Sequence, residues 1–195
     1  ILGNADDTIV IGYISVGEDY GEPGPGGGLN VPRDASLSPA LNTGTGPQTY
    51  NYATGEVSFA NGGYPSWYVD MMGVYSDTGG AYVDTVPDGK PDQNTEWGGL
   101  YVNPGDPLWY DFLTTATAAE HGTSGFNYIL NELGMDGLFL DTLGVSAPWS
   151  FWQPPAMVSD YYWVRDGGLD LIAHLAYDYP DAVLIGNRPL HFAFP

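Results

Sequence analysis

Four polar residues stand where apolar runs stop. Leu138-Phe139-Leu140 ends on Asp141, and the run Thr8 to Val16 leads through Gly17 to Glu18. Ser66-Trp67-Tyr68-Val69 ends on Asp70, and Ala182 to Gly186 ends on Asn187. A carboxylate can serve as nucleophile or general base and, when protonated, as general acid. Two carboxyl groups in unlike environments can divide those roles between them. Glu18 alone reads equally well as an ordinary polar loop residue. Four such positions together point to one shared site, with Asp141 as the expected catalytic carboxylate.

For these residues to meet, the runs must be parallel strands, whose carboxyl ends are where ligands meet such folds. Residues 8–16 are dense in β-branched side chains and show no helical period, which predicts a strand. Residues 66–70 and 100–103 read as short strands, and the apolar run before Asp141 reads as a strand buried on both faces. Asp106-Pro107 is a helix start. Leu108, Phe112, Leu113, Ala116 and Ala119 then recur at helical spacing, with a break around residues 121–125. Phe126, Ile129, Leu130 and Leu133 carry a second helical run to Gly134, a residue suited to ending it.

Residues 158–179 predict another helix, with Leu169, Ile172, Ala173, Leu175 and Ala176 on one face and Pro180 closing it. Residues 182–189 predict the next strand. The alternation over residues 98–187 is a βαβ series, and right-handed crossovers would set its strand ends on one rim. Asp136, at the start of its strand, belongs to the opposite rim and reads as structural. The fold class is α/β, with residues 1–195 forming a single domain or the N-terminal part of one, and with irregular excursions at 19–65 and 76–97.

The composition narrows the partners. The net charge is −20, with 24 Asp and Glu against four Lys and Arg. No cationic patch is available to displace counterions from nucleic acid or to meet an anionic membrane. No apolar run approaches membrane-spanning length, so no membrane insertion is expected. Cysteine is absent, which excludes disulfides and thiolate chemistry. The acidic balance suits high salt or an extracellular setting. Opening on Ile1 rather than Met fits a processed or excerpted polypeptide. Asp84, Asp88 and Asp92 are spaced four apart around an Asp-Gly turn, which can offer oxygen ligands to a structural calcium ion, although not at EF-hand spacing. His121 has no histidine partner at metal-binding spacing and reads as a surface residue.

Three segments resemble the glycoside hydrolase family 114-like (β/α)8 barrels, the endo-α-1,4-polygalactosaminidase type. They are Gly12-Tyr13-Ile14-Ser15-Val16-Gly17-Glu18, Tyr101-Val102-Asn103-Pro104-Gly105-Asp106-Pro107-Leu108-Trp109 and Gly134-Met135-Asp136-Gly137-Leu138-Phe139-Leu140-Asp141. Ile185-Gly186-Asn187 is similar to the polar strand end that follows in that group. The resemblance covers about half the residues in the expected order. It implies a TIM barrel, incomplete in this chain at five or six strands, with a further polypeptide segment to complete it.

It further implies a secreted enzyme acting on a polysaccharide, amino-sugar polymers among the candidates, without a required cofactor. Asp141 would be the nucleophile of a retaining mechanism, and a second carboxylic acid would protonate the leaving oxygen. Tyr13, Glu18, Asp70, Trp97, Trp149 and Asn187 would line the sugar cleft, where aromatic faces stack on sugar rings. The alternatives are a carbohydrate-binding or extracellular matrix protein that kept the barrel and lost its acid, and a calcium-stabilised assembly subunit.

Overall fold

The strands and helices of the chain are described from a computed structural model. It describes residues 8–21, 33, 49–51, 56–58, 65–68, 74–76, 81–84, 91, 99–117, 124–143 and 162–187, of which 49–51, 56–58, 74–76, 81–84 and 162–165 are described by backbone alone. In chain order the strands β1 (Ile11–Ser15), β2 (Glu18–Asp19), β3 (Thr49–Asn51), β4 (Glu56–Ser58), β5 (Val74–Ser76), β6 (Ala81–Asp84) and β7 (Leu100–Tyr101) come first. Helix α1 (Pro107–Thr115), a π-helix (Tyr128–Glu132), β8 (Gly137–Asp141), helix α2 (Tyr162–Asp178) and β9 (Val183–Gly186) follow.

β8 lies between β1 and β9, parallel to both. Tyr13 pairs with Phe139, Ser15 with Asp141, and Phe139 with Ile185. Side chains alternate across a strand, so this register sorts them into two faces. Ile14, Leu138 and Leu140 are buried on one face, in a single apolar cluster with Trp109, Phe112 and Leu113 of α1, Ile129 of the π-helix and Leu171 and Leu175 of α2. The other face carries Tyr13, Val183 and Ile185, which are 59%, 38% and 41% exposed. The run expected to be buried on both faces is therefore deeply buried on one. Asp136 joins the amino ends as a structural group: its Oδ2 accepts from the Val10 N–H at 2.8 Å, and its own N–H donates to the Val10 carbonyl at 2.8 Å.

The helices follow their sequence signals with two adjustments. Asp106 caps α1 by accepting from the Leu108 N–H at 2.8 Å and from the Ser66 hydroxyl at 2.7 Å. Burial raises its carboxyl above the ordinary value, while these hydrogen bonds pull it back. The second helical run is a π-helix, and Gly134 ends it at φ 66°. On α2 the buried ridge is Gly167, Leu171 and Leu175, four residues apart, whereas Leu169, Ala173 and Ala176 are exposed. His121 lies outside the described residues.

Two expected strands behave differently. Ser66 and Trp67 lie in a turn, with the Tyr68 N–H donating to the Pro65 carbonyl at 3.3 Å, and Tyr68 makes a single antiparallel bridge to Val102. The apolar content that read as a strand here fills the core instead, since Trp67 and Tyr68 are both fully buried. The segment 100–103 pairs as β7 antiparallel to β2, with Glu18 opposite Tyr101. It stands outside the parallel series, whose first member is β1. The first excursion also contains a short antiparallel pair, β3 with β4, and β5 pairs antiparallel with β6 across the start of the second.

A buried ion pair ties part of the first excursion to this frame. Arg33 Nε donates to Asp19 Oδ2 at 2.9 Å, and the Tyr68 hydroxyl donates to the same oxygen at 2.6 Å. The Arg33 guanidinium lies 4.6 Å from the centre of the Phe112 ring. Arg33 and Asp19 are 2% and 3% exposed. Removing one partner of such a pair leaves an uncompensated charge away from water. Arg33→Met is therefore expected to cost about 3–5 kcal/mol of folding stability, and adding Asp19→Leu to recover much of it, both read from urea unfolding.

Gly105 and Gly167 bring the turn before α1 against α2. A Cβ on Gly167 would come within 2.6 Å of the Gly105 nitrogen and 2.7 Å of Asn103 Oδ1. Alanine within a helix ordinarily stabilises. Here Gly167→Ala is expected to destabilise by about 1–3 kcal/mol through overpacking, a reversal of sign visible in the urea midpoint.

Candidate functional site

Asp141 ends β8 on the half-open face of the sheet. The parallel register brings β1 to one side of it and β9 to the other, and Asn187 follows the end of β9 with its N–H on the Leu140 carbonyl at 2.9 Å. Residues 13, 141 and 187 share one face by alternation along their strands. The Tyr13 hydroxyl donates to Asp141 Oδ2 at 2.6 Å, and Asn187 Nδ2 donates to Oδ1 at 2.5 Å. The Thr142 N–H donates to Oδ1 at 2.8 Å. A carboxylate receiving donors from three directions is oriented and suited to carry negative charge.

The turn after β8 is tied to the turn after β1. Thr142 Oγ1 accepts from the Gly17 N–H at 2.8 Å and lies 2.8 Å from Ser15 Oγ. Ser15 Oγ donates to the Glu18 carbonyl at 2.8 Å. Glu18 therefore enters the molecule from a segment linked to Asp141 through two hydroxyl groups. Its side chain is 2% exposed. It packs beneath Gly99, where an added Cβ would come within 2.2 Å of its Oε2.

Charge and burial act together on the phenols. Partial burial raises the Tyr13 phenol far above its ordinary value, and its hydrogen bond to Asp141 and the negative charge of that carboxylate raise it further. Tyr20 is raised by burial first, then by the charges of Glu18 and Asp141. Both carboxyl groups thus act on the same two phenols, and Tyr13 remains a neutral donor wherever Asp141 is ionised. Tyr13 is also stacked on Phe139, with ring centres 6.1 Å apart and planes 18° from parallel.

Of the residues expected to form a site, Tyr13, Asp141 and Asn187 come into direct contact, and Glu18 sits behind them. Asp70, Trp97 and Trp149 lie outside the described residues, as do Asp88 and Asp92. Asp84 ends β6 and is described by backbone alone. Among the described residues, no group of three or more His, Asp or Glu side chains could hold a metal ion. No described helix is long and apolar enough to cross a membrane.

Ser15, Tyr20 and Thr142 were not anticipated. Strand alternation could have put Ser15 beside Asp141, two residues beyond Tyr13. Nothing in the sequence marks Thr142, because its left-handed backbone is one that β-branched residues rarely adopt.

No protein-family model, curated protein or solved structure matches the chain.

The raised phenols set a pH dependence with a defined sign. A phenol whose proton is held more tightly in the folded state than at its ordinary value of 10.0 leaves stability unaffected below that pH. Above it the unfolded chain loses protons first, so folding stability declines as pH rises. Tyr13, Tyr20 and the deeply buried Tyr68 all shift in this direction. Unfolding midpoints are expected to be insensitive to these groups up to about pH 10 and to fall beyond it. Tyr13→Phe should reduce that fall, as measured by urea titrations across the alkaline range.

Proposed function

We propose that this protein is a secreted glycoside hydrolase acting on a polysaccharide, with Asp141 as the nucleophile of a two-carboxylate retaining mechanism. The observation that carries the reading is the convergence of the Tyr13 hydroxyl, reaching up from the middle of β1, and the Asn187 amide on Asp141 at the carboxyl end of β8. That is where ligands bind in parallel α/β folds. The sequential order of β1, β8 and β9 is compatible with a barrel, which a further polypeptide segment would complete.

In this mechanism Asp141 attacks the anomeric carbon, forming a glycosyl-enzyme ester as the bond to the leaving oxygen breaks. Water then hydrolyses the ester. Tyr13 and Asn187 hold the carboxylate in place by donating one to each of its oxygens. The proton for the leaving oxygen comes from a second carboxyl group, which retention requires about 5–5.5 Å from the first. Glu18 is too deeply buried to meet a substrate directly, and its part in this reading is electrostatic. The exposed Tyr13 ring offers a stacking face, and a chain of net charge −20 favours a cationic, deacetylated amino sugar. Two-carboxylate hydrolysis needs no metal; calcium bound near Asp84, Asp88 and Asp92 would act structurally.

The test is hydrolysis of galactosamine- and glucosamine-containing polymers by the wild-type protein and by Asp141→Asn. The substitution is expected to lower turnover by at least about 10³-fold while polymer binding persists. Undiminished turnover would remove Asp141 from the chemistry. Binding by the wild type with no turnover would instead favour a non-catalytic carbohydrate-binding protein on the same scaffold.

A further inference from the structure

The residue after Asp141 has a backbone conformation that its own side chain resists. Thr142 lies at φ 63°, the one positive value for a non-glycine among the described residues. A β-branched residue in the left-handed region is an outlier that persists only where its surroundings hold it. Those surroundings are explicit here. The Thr142 N–H donates to Asp141 Oδ1 at 2.8 Å, and its hydroxyl donates to the Asp141 carbonyl at 2.5 Å. The same hydroxyl accepts from the Gly17 N–H at 2.8 Å and lies 2.8 Å from Ser15 Oγ.

Each hydroxyl carries one proton. The Glu18 carbonyl can only accept, so the Ser15 proton goes there. The Thr142 proton is then shared between the Asp141 carbonyl and Ser15 Oγ. Glycine would adopt this φ freely and asparagine more easily than threonine. Neither would place a hydroxyl beside Gly17 and Ser15 in this way.

We propose that Thr142 is a positioning residue: its left-handed turn delivers an N–H to the Asp141 carboxylate, and its hydroxyl pins that turn to Gly17 and Ser15. The Asp141 and Glu18 segments are thereby held at one spacing. The inference rests on the reading of Asp141 as nucleophile.

The experiment compares the wild type with Thr142→Val, Thr142→Ser and Thr142→Gly in two measurements. One is hydrolysis of an amino-sugar polymer, resolved into kcat and KM. The other is the pH titration of the Asp141 carboxyl carbon by NMR. Valine keeps the side-chain shape and removes the hydroxyl. It is expected to lower kcat about tenfold or more through misplacement, to leave KM within about twofold, and to move the Asp141 midpoint upward because the unpinned turn no longer holds the Thr142 N–H on the carboxylate. Serine should restore both. Glycine accepts the turn without strain and remains informative if valine prevents folding; it too should lower kcat, because the pin is gone.

Wild-type kcat and an unmoved Asp141 midpoint in the valine or glycine variant would overturn the proposal while leaving Asp141 as nucleophile intact. So would a serine variant as impaired as valine. If the wild type shows no turnover, the glycosidase reading fails separately and the titration decides. An Asp141 midpoint that rises in valine and returns in serine supports the positioning role, and one that stays fixed overturns it.

Discussion

The register of three parallel strands is the constraint on which the site depends. Side chains repeat every two residues along a strand, so a slip of one position would exchange the two faces of β8. Leu138 and Leu140, 0% and 1% exposed, would then turn away from the helices, and Asp141 would turn into the core. Each fully buried leucine contributes about 1.5–3 kcal/mol relative to exposure, and an unpaired buried carboxylate costs still more. The apolar face thus sets the register, and the register decides that Tyr13, Asp141 and Asn187 meet. At the amino ends, the paired hydrogen bonds between Asp136 and Val10 hold the same alignment.

Electrostatics impose a second condition. The chain carries −20 with only four basic side chains, and one of the four, Arg33, is buried against Asp19. What Arg33 supplies is local. It neutralises a carboxylate that β2 carries inward, receives the Phe112 ring beneath its guanidinium, and joins residue 33 to Tyr68 through the hydroxyl that accepts its own N–H at 2.9 Å. β2 is also the strand that carries Glu18. The pair therefore steadies the segment whose charge acts on Tyr13 and Tyr20, although neither Arg33 nor Asp19 belongs to the convergent group itself.

The local signals in the sequence were readable where they depended on neighbours in the chain. The Asp106 cap, the glycine that ends the second helical run, and the β1, β8 and β9 segments each follow from residue type and short-range period. The placing of Asp141 and Asn187 was legible because a carboxyl-end position is itself a local property, whereas Tyr13, in the middle of β1, was expected only through the family resemblance. What failed depended on partners far away. Residues 66–68 have the composition of a strand, yet Trp67 and Tyr68 serve an aromatic core with Trp109 and Phe112, the Trp67 ring lying 5.5 Å from each. The 100–103 run pairs with two residues after β1, a match that no periodicity announces. The buried Arg33 pair was likewise hidden, since a single arginine in a Gly/Pro-rich stretch looks like an ordinary exposed one.

The two faces of the sheet explain why polar chemistry and apolar packing can share one strand. Parallel sheets are ordinarily covered on both sides. Here the helices cover one, and the other presents Tyr13, Phe139, Val183 and Ile185 below a rim formed by Ser15, Asp141 and Asn187. Tyr13 belongs to both layers: its ring stacks on Phe139 within the floor, and its hydroxyl, kept protonated by burial and by the carboxylate it contacts, donates at the rim. A phenylalanine would preserve the floor and a serine could not span to the rim. Tyrosine satisfies both demands, which is why the strand can be apolar in its packing and still direct a carboxylate.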